Sequence, residues 1–241
     1  MSITVCTVSG KGGTGKSTVS SGLAIAAALR GEKVLLLDLD SGLRCLDIIL
    51  GVDEKTVFDL SDALDAGDLK KAVYTAANYK NVSLIPAPAL PEKIDFDKLA
   101  GLLKQVENEY GFIILDFPAG ADFDGYNAFP EAVFLIVSGA DGVSTRDASV
   151  ISRGIVSDKP PRLIINRFDA DMIKYGVYKN VDGIIDCSAT RLIGVVPAQS
   201  ELLLLSTLHK LKPKGRALKS FNRIVRRISG ENVPLPDLKK I

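Results

Sequence analysis

The chain has little of what other chemistries would need. Among its 241 residues are only three cysteines, Cys6, Cys45 and Cys187, widely separated and without a C-x-x-C pair. That scatter argues against a disulfide framework or a zinc site, and for reduced, mostly buried thiols in the cytoplasm. The single histidine, His209, falls in a polar turn and supplies no imidazole cluster. A net charge of +1 exerts no global pull on nucleic acid or anionic lipid, so any such contact needs a local patch. No apolar run reaches membrane-spanning length, and no charged n-region with an apolar core opens the chain. A cytoplasmic protein is expected, peripheral on the inner face of the cell membrane only if a surface anchor holds it there. Apolar residues at 46% and charged residues at 24% suit a soluble globular core. Nothing divides the chain, so one domain over 1–241 is expected, with an irregular tail at 230–241.

Against that background one stretch stands out: Gly10-Lys11-Gly12-Gly13-Thr14-Gly15-Lys16-Ser17-Thr18. It fits G-x-x-x-x-G-K-[ST], the loop whose backbone N–H groups wrap nucleotide phosphates. Residues 2–9 read as a short buried strand before it, and 17–29 as an Ala- and Leu-rich helix after it, closed by Gly31. Strand, glycine loop and helix N-terminus together make an anion site. Lys16 is placed to reach the outer phosphates and the Ser17 hydroxyl to bind Mg²⁺. Lys11 is either a solvated loop lysine or a second cation where charge develops in phosphoryl transfer.

Such a loop needs carboxylates, and two apolar runs deliver them. Val34 to Leu37 ends in Asp38-Leu39-Asp40, and Phe112 to Leu115 ends in Asp116. Continuous apolar runs of this kind are central parallel strands, buried on both faces, with their acids at the C-terminal edge beside the loop. Asp38 and Asp116 are then candidate holders of Mg²⁺. Asp40 is a candidate on the water side; simple strand-capping aspartates are the alternative.

Farther along, 95–109 shows helical apolar spacing, while 52–81 is polar with one short helix and no evident chemistry. Residues 133–137, 162–167 and 192–197 read as further strands, and Ser144 opens a helix as its cap. Asn166, followed by Arg167, offers a carboxamide able to read an adenine edge by donor and acceptor. Residues 211–229 carry seven basic side chains with apolar residues at helical spacing. Two readings stay open for them: a docked terminal helix with a solvated basic face, or a surface facing lipid or DNA.

The K-G-G-T-G-K-S form of the loop resembles the deviant Walker A loop of the MinD/ParA family of P-loop ATPases. The segment Asp40-Ser41-Gly42-Leu43-Arg44-Cys45-Leu46-Asp47 and the run Asp116-Phe117-Pro118-Ala119-Gly120 resemble that family's switch regions, nearest to its MinD branch. The resemblance implies a doubly wound, mostly parallel α/β sheet with helices on both faces, and an ATP hydrolase using Mg²⁺. It implies that Lys11 acts across a homodimer on the partner's ATP, and that Asp40 positions the attacking water. It further implies that the Gly120 amide senses the γ-phosphate, that Asn166 and Arg167 meet the base, and that Pro197 and Ala198 close over it. The implied role is a spatial switch in septum placement, with septum-inhibitor and topological-regulator proteins as partners. A ParA-like DNA- or cargo-positioning ATPase, or a nucleotide-binding scaffold with little hydrolysis, is the alternative. DNA is not expected as a partner. In MinD members a basic amphipathic C-terminal helix holds the membrane, and residues 230–241, with two prolines, are too short to match it.

Overall fold

The computed structural model describes residues 2–171, 175 and 181–237. The last four residues of the expected tail lie outside the described residues. Along the chain come β1 (Ile3–Ser9), α1 (Lys16–Ala28), β2 (Val34–Asp38), α2 (Leu46–Leu50), α3 (Leu60–Ala66), β3 (Tyr74–Ala76) and β4 (Tyr79–Ile85). There follow α4 (Phe96–Val106), β5 (Phe112–Ala119), α5 (Phe123–Asn127), β6 (Val133–Ser138), α6 (Gly142–Gly154), β7 (Arg162–Phe168) and β8 (Arg191–Pro197). The C-terminal helix spans Arg216–Ile228.

The strands form one sheet in the order β3-β4-β2-β5-β1-β6-β7-β8. All pairings among them are parallel except the β3–β4 edge. Alternation along the buried strands feeds two apolar layers. Leu35 and Leu37 of β2 join α3, α4, α5 and α6 on one face. Val34 and Leu36 join α1 and the C-terminal helix on the other. The doubly wound, mostly parallel α/β architecture that the resemblance implies is the one observed.

Three local readings change. The polar stretch 52–81 hides β3, a three-residue antiparallel edge strand against β4, too short and too exposed to show an apolar run. Helix α6 is capped by Asp141 rather than opened by Ser144: the Asp141 carboxylate accepts from Ser144 N at 2.9 Å and from Ser144 Oγ at 2.6 Å. Of the thiols only Cys6 is buried; Cys45 is half-buried and Cys187 exposed.

The C-terminal helix is docked. Its Phe221 ring fills the space a Cβ on Gly22 of α1 would take, and Ile224 does the same at Gly194 of β8. Arg227 then ties down the extended residues that follow, donating to the carbonyls of Val233 and Pro234 at 2.8 Å each, and also to that of Ile193. The basic charge noted in the sequence lies on the outer side of this helix and in the segment before it.

Candidate nucleotide site

Strands β1, β2 and β5 end side by side at the edge where a parallel α/β sheet binds ligands. The loop after β1 turns into α1 through Gly15, which caps that helix in the left-handed region at φ 83°. A side chain there would be strained, and it would collide with the Asn166 amide. Gly10 is equally constrained, since a Cβ would come within 2.6 Å of Asp147 Cβ on α6. The loop closes on itself around a cavity of about 240 Å³ lined by Lys11, Gly12, Gly13, Thr14, Gly15, Lys16, Ser17 and Thr18. Asp40, Cys45, Ala119 and Arg167 complete the walls.

Beneath the cavity lies a buried polar cluster. Asp38 and Asp116 are register partners on β2 and β5, both fully buried. Asp116 Oδ1 accepts from Lys16 Nζ at 3.1 Å and from Ser20 Oγ at 2.7 Å, with Thr7 Oγ1 at 3.0 Å. Its Oδ2 is buried without a partner. Asp38 accepts backbone N–H bonds from Asp40, Cys45 and Leu46 at 3.0 to 3.2 Å. Burial and the neighbouring Asp116 nevertheless push its carboxyl up to about 7. Asp40, half-buried in the turn after β2, is also raised, mainly by burial, with Lys16 opposing.

Of the two buried acids only Asp116 has a lysine, Lys16, and its second carboxylate oxygen is left without a partner. The donor set suits Mg²⁺, which takes oxygen ligands and keeps several waters. Among the described residues no three His, Cys, Asp or Glu side chains gather into a cage for a metal. Ser17 with Asp38 and Asp116 therefore fits a cation shared with phosphate oxygens and water.

Lys11 stands at the rim of the cavity. Its Nζ is 3.7 Å from Asp141 Oδ1, with the lysine 42% and the aspartate 58% exposed, so it is a screened surface pair. Asn166, by contrast, is buried at the end of β7 and donates one N–H to Thr14 O at 2.8 Å, leaving Oδ1 buried and unpaired. One of its donors is thus spent on the loop. Beside it a cavity of about 470 Å³ is lined by Thr18, Asn166, Arg167, Pro197, Ala198 and Gln199, among others. Arg167 takes a left-handed φ of 54°, and Ala198 N donates to Phe168 O at 2.9 Å, fixing the Pro197–Ala198 turn. Thr18 and Arg167 belong to both cavities, so the two form one elongated cleft.

One expected free group is occupied. The Gly120 amide already donates to Ser9 O at 2.9 Å, and its carbonyl accepts from Tyr126 Oη at 2.7 Å. Thr7, Ser20 and Cys45 are site residues that the motif does not name. Only a small polar side chain within an apolar strand, as at Thr7, hinted at them.

The profile of the CobQ/CobB/MinD/ParA nucleotide binding domain matches residues 5–209. The septum site-determining protein MinD of Helicobacter pylori is 33% identical, over 99% of this chain and 95% of its own. The Bacillus subtilis MinD is 31% identical, over 96% and 91%. The MinC:MinD cell division complex of Aquifex aeolicus superposes with a TM-score of 0.87 at 31% identity, covering 98% of this chain and 99% of that one. A Pyrococcus horikoshii MinD complexed with Mg-ADP gives 0.76 at 27%, over 95% and 96%. With its glycine loop and paired strand-end carboxylates at one edge of a parallel sheet, the chain belongs to the CobQ/CobB/MinD/ParA nucleotide-binding family and is similar along almost its whole length to the MinD proteins within it.

Proposed function

We propose that the protein is an Mg²⁺-dependent ATPase of the MinD type, a dimer formed around ATP that serves as a spatial switch in septum placement. The observation that carries this reading is the buried Asp38–Asp116 pair with one lysine and one orphan oxygen beneath a glycine loop. The loop amides and Lys16 bind the phosphates; Ser17, Asp38 and Asp116 hold Mg²⁺, directly or through water. When bound, Mg²⁺ neutralises phosphate charge. Asp40 orients the attacking water; its raised carboxyl and its place in the cavity wall suit it to that duty. Asn166 and Arg167 take the base, with Pro197 and Ala198 over it. Lys11 leaves Asp141 and reaches the partner's nucleotide. That costs little, because the pair it breaks is exposed.

The Aquifex MinC:MinD complex supports a septum inhibitor as one partner, and the Mg-ADP complex of the Pyrococcus protein supports the ligand pair. The protein would work in the cytoplasm, peripheral on the membrane's inner face only if a surface anchor holds it there. No helix among the described residues is long and apolar enough to cross a membrane. Light scattering with ADP and with ATP tests the switch. Wild type should double its mass with ATP alone, and Lys11→Ala should stay monomeric with both. A wild type that stays monomeric in ATP sinks the dimer.

A further inference from the structure

Strand β5 carries the ladder with β1 past the site. After a register shift between Thr7 and Ser9, Ser9 pairs with Ala119, and the next amide, Gly120 N–H, closes a final rung on Ser9 O at 2.9 Å. Gly120 sits at φ 119°, a backbone region open in practice to glycine. Its other end is held as well. Tyr126 Oη donates to Gly120 O at 2.7 Å, from a ring that is wholly buried. That ring meets Phe117, Phe123 and Phe134 edge-on, with centroids 5.0, 5.8 and 6.0 Å away. Phe123 in turn occupies the space beside Gly154 of α6. The hydroxyl is therefore presented by a fixed body, and burial keeps it protonated as a donor by raising its pKa.

Both Ser9 and Ala119 line the phosphate cavity. An oxygen entering the cavity there competes with Ser9 O for one N–H, which cannot serve both fully. Tyr126 holds the carbonyl of the same residue, so a turn that carries the whole residue toward that oxygen breaks this bond as well. We propose that Ser9, Gly120 and Tyr126 form a latch on the segment after Asp116, and that Tyr126 is a positioning residue setting how strongly the site favours a nucleoside triphosphate over a diphosphate. The proposal rests on the nucleotide reading above. The tyrosine hydroxyl stabilises the latched arrangement, so it opposes the terminal phosphate and leaves the diphosphate unaffected. A ligand shifts such an equilibrium only by its differential affinity for the two arrangements.

Calorimetry on wild type and Tyr126→Phe, with Mg²⁺ and either ADP or a non-hydrolysable ATP analogue, reads this directly. The expected result is an unchanged ADP affinity and an analogue bound about 2- to 12-fold more tightly, the worth of one hydrogen bond. Equal shifts for both ligands, no shift, or weaker analogue binding would overturn the latch. Hydrogen exchange at the Gly120 amide in nucleotide-free protein gives a second reading. It should be slow in wild type and faster by a similar factor in Tyr126→Phe, and unchanged exchange again overturns the latch. Wild type that binds neither nucleotide removes the ATP reading instead, while the exchange measurement still decides the latch.

Discussion

The two ends of the cleft are built differently. At the phosphate end the key groups, Asp38, Asp116, Thr7, Lys16 and Ser20, are buried side chains on strand ends and on the first turns of α1. Asp116, Thr7, Lys16 and Ser20 bond to one another, Asp38 bonds to the backbone after β2, and all depend on the sheet for their spacing. At the base end two buried residues, Asn166 and Pro197, are joined by an exposed Arg167 in a left-handed conformation and by the turn after β8. The first end is part of the core and the second is attached to it. The buried cluster is therefore tied to folding, whereas the exposed Arg167 can change at little cost.

Substitutions can break this contrast, and the largest effect belongs to the phosphate end. Asp40→Ala should lower the rate of phosphate release about 10²- to 10⁴-fold, the usual worth of a positioned acid or base, while nucleotide binding persists. Equal release rates in wild type and variant would remove Asp40 from its role.

Next comes stability against pH without metal. Asp38 is raised from the ordinary carboxylate range to about 7, so the folded state holds more protons than the unfolded chain between those values. Its contribution is full at acid pH and is lost as pH rises through about 7. Thermal melting of metal-free protein should thus lose stability from pH 5 to 8 relative to Asp38→Asn, and Mg²⁺ with nucleotide should narrow the gap. Parallel pH curves for the two proteins would show that the carboxylate pair does not couple to folding.

The smallest effect is expected at the base. Asn166→Ala should weaken ATP binding about 2- to 12-fold, one hydrogen bond's worth, and flatten the preference for ATP over GTP. Binding of inorganic triphosphate should not change. If triphosphate binding also falls, the Asn166–Thr14 bond is holding the phosphate loop, and the two ends are less separate than their construction suggests.

The same contrast governs what could be read from the chain. Strands β2 and β5 are apolar runs that lead into acids, so their burial and the carboxylates were visible. Lys16 and Ser17 came with the loop. Thr7 and Ser20 escaped notice because they matter through a contact between residues about a hundred positions apart, at Asp116. Edge strand β3 escaped because three residues, only Ala76 of them buried, carry no periodicity. The cap of α6 was misread by three residues, since Asp141 and Ser144 are both good capping types and only their mutual bonds tell them apart. Nor could composition show that the Gly120 amide is engaged, because a backbone partner leaves no mark on side chains.

The docking of Phe221 against Gly22 also bears on how the molecule comes into being. The loop is encoded in the first twenty residues, yet β1 has no neighbours until β5 and β6 exist, and α1 is not covered until residues 216–228 arrive. A chain emerging from the ribosome exposes its phosphate loop early, with no walls around it. The loop is translated before its walls, so an unfinished chain holds the motif without the site.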